Sequence, residues 1–339
     1  MRRCGWMIAA CAMPLLAVAA PLPRFPPGAV WNQDVSRAPL APNSASMVAA
    51  LQGLGGWGNG DLFQIDFSMY VLHAQPGAPT LPVAGEGSGP DCDSGFAFPL
   101  PPGGALEGES GYQCASGGDC HLLVVQGTTL YESYATDVTP TAIDTECALR
   151  WDLTKRYPRN GRGEQCTSAD AAGFPIAPLL FNADEVAAAM AVEGDIGHAI
   201  RFILPNARIA DDRYVHPATH GTRVTSGPQT SVPYGVRMRL RADFDTSGYN
   251  AAAKVLLRTM QRYGIVLADG GNIALTGESD RYTTAKWAAL GIDEQVFVDG
   301  TPAPRVTDFE VVETGPRHVV TYDCVRNPED FLFIDGYDY

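Results

Sequence analysis

Basic residues are scarce in this 339-residue sequence: 24 Lys and Arg stand against 38 Asp and Glu, a formal charge of -14. A chain so short of cations has little with which to neutralise phosphates, which argues against nucleic acid as a partner. No run of about 20 apolar residues occurs, so no membrane span is expected. There is no Cys-x-x-Cys pair, no Gly-x-Ser-x-Gly, no phosphate-cradling Gly-x-x-x-x-Gly-Lys-Ser/Thr and no His-Glu-x-x-His. Their absence disfavours α/β-type serine hydrolases, nucleotide enzymes and the common zinc proteases. The glycines between Gly53 and Gly60 lack a surrounding βαβ unit and do not read as a dinucleotide loop.

What is present is a globular composition, with 45% apolar and 18% charged residues, which rules out wholesale disorder. The 36 Gly and 26 Pro suit short strands joined by many turns. Arg2 and Arg3 precede an apolar stretch from Gly5 to Ala20, and Ala17-Val18-Ala19 reads as a small-x-small cleavage site. Residues 1–19 therefore read as a signal peptide, and the protein is expected to be secreted or periplasmic. Lipid attachment at Cys11 is set aside, because the apolar run before it is very short. Removing the leader takes away two Arg and leaves 22 basic against 38 acidic residues, a charge of -16. It also removes Cys4 and Cys11. The six remaining cysteines, Cys92, Cys114, Cys120, Cys147, Cys166 and Cys324, predict three disulfides, with fifteen pairings open and a local Cys114–Cys120 bridge among them.

Residues 20–42 read as a Pro-rich extended lead-in, 43–325 as the globular domain and 326–339 as a peripheral acidic and aromatic tail. Helices are expected at Ser44–Leu54 after Asn43, at Ala183–Met190 after Asn182, and at Asn250–Tyr263 with Gly264 as its stop. Strands are expected over 63–71, 198–204, 236–242, 265–268, 295–298, 309–312 and 319–322. A hairpin is expected from 122–125 and 129–134 around Gln126-Gly127-Thr128. Residues 75–111 read as a long surface loop or a lid over a cleft. The fold class is mainly β, a sandwich or barrel with a few packed α-helices in one disulfide-stabilised domain.

From about Trp31 to Glu313 the chain resembles a family of secreted bacterial proteins. The resemblance rests on Trp31-Asn32, on Asp119-Cys120-His121-Leu122-Leu123-Val124-Val125, and on Leu130-Tyr131-Glu132 and Trp151-Asp152-Leu153. It continues through Thr167-Ser168-Ala169-Asp170-Ala171-Ala172-Gly173, Asp184-Glu185-Val186-Ala187-Ala188, His198-Ala199-Ile200-Arg201-Phe202, Tyr263-Gly264 and Leu267-Ala268-Asp269. Between Lys155 and Gln165, and in the cysteine-rich segments, this sequence departs from its relatives. The resemblance implies no reaction, so the chemistry is argued from residue types.

Asp170 stands among small residues that let a substrate or another backbone approach. The competing reading makes it a helix N-terminal acid beside a Ser168 cap. Asp269 ends an apolar strand before Gly270-Gly271-Asn272, a common place for site residues, or else it is a turn aspartate holding its own downstream amides. Glu132 and Asp152 rank below these two, and Asp184 and Glu185 read as first-turn helix acids. His121 and His198 complete the candidate catalytic set as possible acid–base partners. His121, His198, His216 and His220 are the histidines that could offer metal ligands. Pro217 between His216 and His220 spoils a helical pair, and no spacing forces convergence, so no metal and no cofactor are expected. Carboxylate and histidine chemistry on a secreted β scaffold points to a glycoside hydrolase or polysaccharide lyase acting on an extracellular or cell-wall glycan. The alternative is a non-catalytic glycan- or envelope-binding protein. Sugar platforms would come from Trp31, Trp57, Trp151, Tyr112 and Tyr131. The sequence leaves the oligomeric state open.

Overall fold

The computed structural model describes residues 22–84 and 89–328. The leader, with Cys4 and Cys11, and nearly all of the acidic tail lie outside them. Strand outweighs helix, as expected for a mainly β protein with packed helices.

Six strands form a mixed sheet in the order Ile65–Met69, Leu275–Glu278, Ile200–Leu204, Ile265–Gly270, Arg237–Leu240, Phe309–Val311. The Ile200–Leu204 strand lies parallel to Ile265–Gly270 and antiparallel to Leu275–Glu278. Ile200, Phe202 and Leu204, with Ile265–Ala268, are fully buried, because helices cover the sheet. The Ala251–Arg262 helix supplies one cover. Its Asn250 side chain caps the Ala253 amide at 2.8 Å, and Val255, Leu256 and Met260 are buried on one face. Gly264, at φ +71°, turns the chain directly into the next strand.

The parallel register between Ile200–Leu204 and Ile265–Gly270 slips by one residue. Phe202 pairs with Leu267, but Ile203 pairs with Asp269, leaving Ala268 as an inserted residue. Paired residues of parallel strands share a face, so the slip brings Asp269 onto the face of Ile203 and Arg201.

A four-stranded sheet, Val71–His73, Leu122–Gln126, Thr129–Tyr134, Cys147–Asp152, contains the expected hairpin, with Gly127 at φ +57° in its turn. Its residues alternate between two cores. Leu123, Val125, Leu130 and Leu149 join the main core, whereas Leu122, Val124 and Ala148 face a second cluster with Phe98, Leu100, Leu106 and Ile143. The described parts of the glycine- and proline-dense 75–111 segment, 75–84 and 89–111, are therefore a structural cover rather than a loose surface loop. Phe98 and Leu106 are wholly buried in them, each worth roughly 1.5–3 kcal/mol.

Three expectations for strands change, the first being 319–322, where the strand is His318–Val319 and residues 320–322 are irregular. The alternating 63–71 segment breaks at Tyr70, and its halves, Ile65–Met69 and Val71–His73, enter different sheets. Residues 295–298 form turns closed by the Val298 amide on the Gln295 carbonyl at 2.8 Å, with Phe297 buried as a core plug. In the lead-in, Phe25 and Trp31 enter the main core.

Among the described residues three disulfides form: Cys92–Cys147, Cys114–Cys120 and Cys166–Cys324. The last spans 158 residues of sequence. It fastens the end of the described chain beside the Gly163–Glu164 strand, which pairs with Val325–Arg326.

Candidate functional site

A cleft of about 440 Å³ opens where the two sheets come together. It is lined by Asp119, Tyr134 and Glu146 from the end of the four-stranded sheet, by residues 167–171, and by Asn206, Asp269 and Gly270 from the carboxyl ends of two strands of the larger sheet. Thr222, Val224 and Tyr234 complete the wall.

The 167–173 segment is held in place by backbone bonds on both sides. The Ala172 amide donates to the carbonyl of Ala268, the inserted strand residue, at 2.9 Å, and the Thr219 amide donates to the Ala172 carbonyl at 3.0 Å. Gly173 takes φ +77°, and a Cβ there would fall 2.1 Å from Thr219 Oγ1, so the segment requires glycine at this point. No helix forms over 169–172. Ser168 Oγ instead accepts from the Asp170 amide at 3.0 Å and donates to the Phe174 carbonyl at 2.6 Å. Asp170 is thus no helix-terminal acid.

Asp170 lies in the floor of the cleft with its side chain wholly buried. Its Oδ1 accepts from Arg201 Nη2 at 2.9 Å, and its Oδ2 has no hydrogen-bond partner among the described residues. Burial raises its pKa to about 7, against the pull of the Arg201 charge, and the nearby Asp269 charge adds to the rise. Arg201 rises from the middle of the large sheet, where Phe202 pairs with Leu275, and Arg201 Nη1 donates to Thr276 Oγ1 at 2.8 Å. Arg201 Nη2 also lies 3.9 Å from Asp269 Oδ2. Asp269 is partly exposed at the mouth, and its Oδ1 accepts from the Gly270 amide at 2.6 Å. The two carboxylates that the sequence singled out therefore share one cleft and one arginine.

His121 sits beneath this floor. Its Nε2 is 2.9 Å from the Ala169 carbonyl and its Nδ1 is 2.6 Å from Glu107 Oε2. Burial would lower its pKa, but the hydrogen bond and charge of Glu107 outweigh burial and raise it to about 9. Glu107 resists burial in the same way and falls to about 2. The pair is an imidazolium–carboxylate with both ring nitrogens occupied. His198 lies elsewhere. It is buried against the Ala199 carbonyl at 2.7 Å and Glu185 Oε1 at 3.4 Å, and it does not line the cleft. Glu185 belongs to the capping box of the Ala183–Met190 helix and also meets Arg24. Glu132 is a buried brace, accepting from the Ile176 and Ala177 amides and from Trp151 Nε1 at 2.8–2.9 Å.

The tryptophans expected as sugar platforms are core residues. Trp57 packs among Phe63, Phe202 and Phe309, and Trp31 meets Phe174 edge-on. The aromatic walls of the cleft are Tyr134 and Tyr234. His216 and His220 also separate. His220 Nδ1 faces the Ala171 carbonyl at 2.9 Å, whereas His216 turns towards Glu164. Arg201 is the central residue that reading by residue type passed over. Its signal is a charged side chain between Ile200 and Phe202 in an otherwise apolar strand.

No protein-family model matches the chain, and neither curated proteins nor solved structures include one similar to it. Among the described residues, no helix is long and apolar enough to cross a membrane.

Proposed function

We propose that this is an exported glycoside hydrolase acting on an uncharged stretch of extracellular or cell-wall glycan, with Asp170 as the general acid and Asp269 as the second carboxylate. The observation that carries this reading is Asp170 itself. It is a buried carboxyl raised to about 7, with one oxygen lacking a protein partner, in the same cleft as a partly exposed carboxylate. In this scheme Asp170 protonates the glycosidic oxygen as the bond to the anomeric carbon breaks. One Arg201 nitrogen touches both acids, so the oxygens it touches are no farther apart than the sum of 2.9 and 3.9 Å. That limit excludes most of the roughly 6.5–9.5 Å spacing of inverting enzymes and includes the roughly 5–5.5 Å of retaining ones. Asp269 is accordingly assigned as the nucleophile, and water then releases the sugar with Asp170 acting as base. Export is supported by the leader and the three disulfides.

Two features favour hydrolysis of neutral sugars over a lyase reaction on uronates. Beside the acid Asp170, the cleft carries Asp119, Glu146 and Asp269, carboxylates that repel anionic sugars. The histidine beside it, His121, is held protonated and fully bonded, so it is not free to remove a proton. A second reading is a glycan-binding protein without turnover, and the complete burial of the Asp170 side chain against Arg201 favours it. The deciding experiment assays release of reducing ends from neutral β- and α-glucans, chitin and peptidoglycan, with wild type and Asp269→Asn. Turnover lost in the variant with binding retained supports the hydrolase. Saturable binding without turnover in wild type assigns the binding protein.

A further inference from the structure

We propose that Glu164, His216 and His318 form a binding site for a divalent transition-metal ion of the zinc class, independent of the glycan cleft. None of the three lines that cleft. No local spacing announces the site, because its ligands lie 52 and 102 positions apart along the chain. Folding brings them together through strand pairing. The Ile209–Tyr214 strand pairs antiparallel with His318–Val319, setting Tyr214 opposite His318, with the two rings stacked 5.1 Å apart. His216 follows two residues after Tyr214, and its ring centroid is 4.4 Å from that of His318. Glu164 reaches both from the short Gly163–Glu164 strand.

The donor atoms already stand close to a coordination shell. His216 Nε2 is 3.0 Å from Glu164 Oε2 and 3.3 Å from Oε1, and His318 Nδ1 is 3.9 Å from Oε1. Ligands about 2.1 Å from one tetrahedral ion stand about 3.4 Å from each other, so each imidazole is within about half an ångström of that spacing from the carboxylate, and the three donor atoms all lie within 4.8 Å of one another. All three side chains are partly exposed, at 34%, 22% and 30% for Glu164, His216 and His318, which leaves a path for the ion and a fourth position for water. Tyr214 donates its hydroxyl to Glu164, the outer bond that orients a ligating carboxylate. His318 Nε2, the ring nitrogen other than the one measured against Glu164, has no hydrogen-bond partner among the described residues. Two imidazoles and one carboxylate are a donor set that suits zinc.

The test uses the mature chain with all disulfides intact, stripped with a chelator and titrated with Zn²⁺ by calorimetry. One equivalent should bind, the thermal midpoint should rise, and EDTA should reverse the rise. His216→Ala and His318→Ala should each weaken binding more than about tenfold, the smallest loss typical of disturbing even a supporting residue. His220→Ala should bind like wild type. Co²⁺ on the unmodified protein provides a readout that needs no variant: a bound ion in a four-coordinate nitrogen–oxygen site gives intensified visible absorption. Absence of saturable Zn²⁺ binding, or unchanged Co²⁺ colour on addition of protein, would overturn the proposal. So would equal loss of binding in His220→Ala.

Discussion

Arg201 Nη2 and Asp170 Oδ1 meet at 2.9 Å in a place closed to solvent, with the arginine side chain 3% exposed and the aspartate not at all. A buried pair of this kind is stabilising only while both partners remain, because loss of one strands the other's charge.

Arg201→Met should therefore destabilise the protein in a pH-dependent way. The Asp170 pKa, already about 7, rises further without the arginine. In the variant, protonation relieves the cost in acid and fails to do so in alkali. Urea unfolding should show a modest loss at pH 5, growing to roughly 3–5 kcal/mol near pH 8. A loss independent of pH would show that packing, not charge, dominates. The double variant Asp170→Asn/Arg201→Met should recover part of the alkaline loss.

The His121–Glu107 pair should shape the stability of wild type on both flanks of neutrality. A histidine raised from 6.5 to about 9 binds its proton more tightly when folded. Its contribution is whole below pH 6.5 and disappears as pH climbs through 9. Glu107, lowered from 4.5 to about 2, contributes above pH 4.5 and loses that contribution as pH falls through 2. In denaturant titrations, His121→Gln should flatten the wild-type decline between pH 6.5 and 9.

Within the proposed reaction, Asp170→Asn and Asp269→Asn should differ in kind. The first removes the acid, so substrates with good leaving groups should keep more activity than the natural glycan. The second removes the nucleophile and should abolish turnover of both. Parallel assays on an aryl glycoside and a polymer distinguish the two. Equal residual activity on both substrates in Asp170→Asn would remove Asp170 from the acid role.

Replacing Cys166 and Cys324 together with serine should cost about 2–5 kcal/mol. The bridge closes the longest loop of the three and tethers the end of the described chain. Denatured, unreduced protein lacking residues 1–19 should titrate no free thiols, and two or more would contradict the pairing.

Local signals in the sequence carried the local structure. Asn182 and Asn250 mark two helix starts that form with their side-chain caps in place, and Gly264 marks a helix end. The placement of Asp269 at the end of an apolar strand was legible for the same reason. Long-range facts were not. Nothing in the alternation of 63–71 announces that its halves serve different sheets, and the period of 295–298 resembles a strand although it forms turns around the buried Phe297. The partnership of Asp170 with Arg201 depends on the pairing of strands 65 residues apart in sequence, and a charged residue in an apolar run is its single local trace.

The inserted residue Ala268 gives the site an arithmetic. The slip places two residues, Ala268 and Asp269, where a regular ladder holds one. Removing Ala268 would restore a regular ladder and still set Asp269 opposite Ile203, on the face of Arg201. What it would withdraw is the carbonyl that tethers Ala172. At this point of the chain the count of residues, not a side chain, ties the Asp170 segment to the sheet.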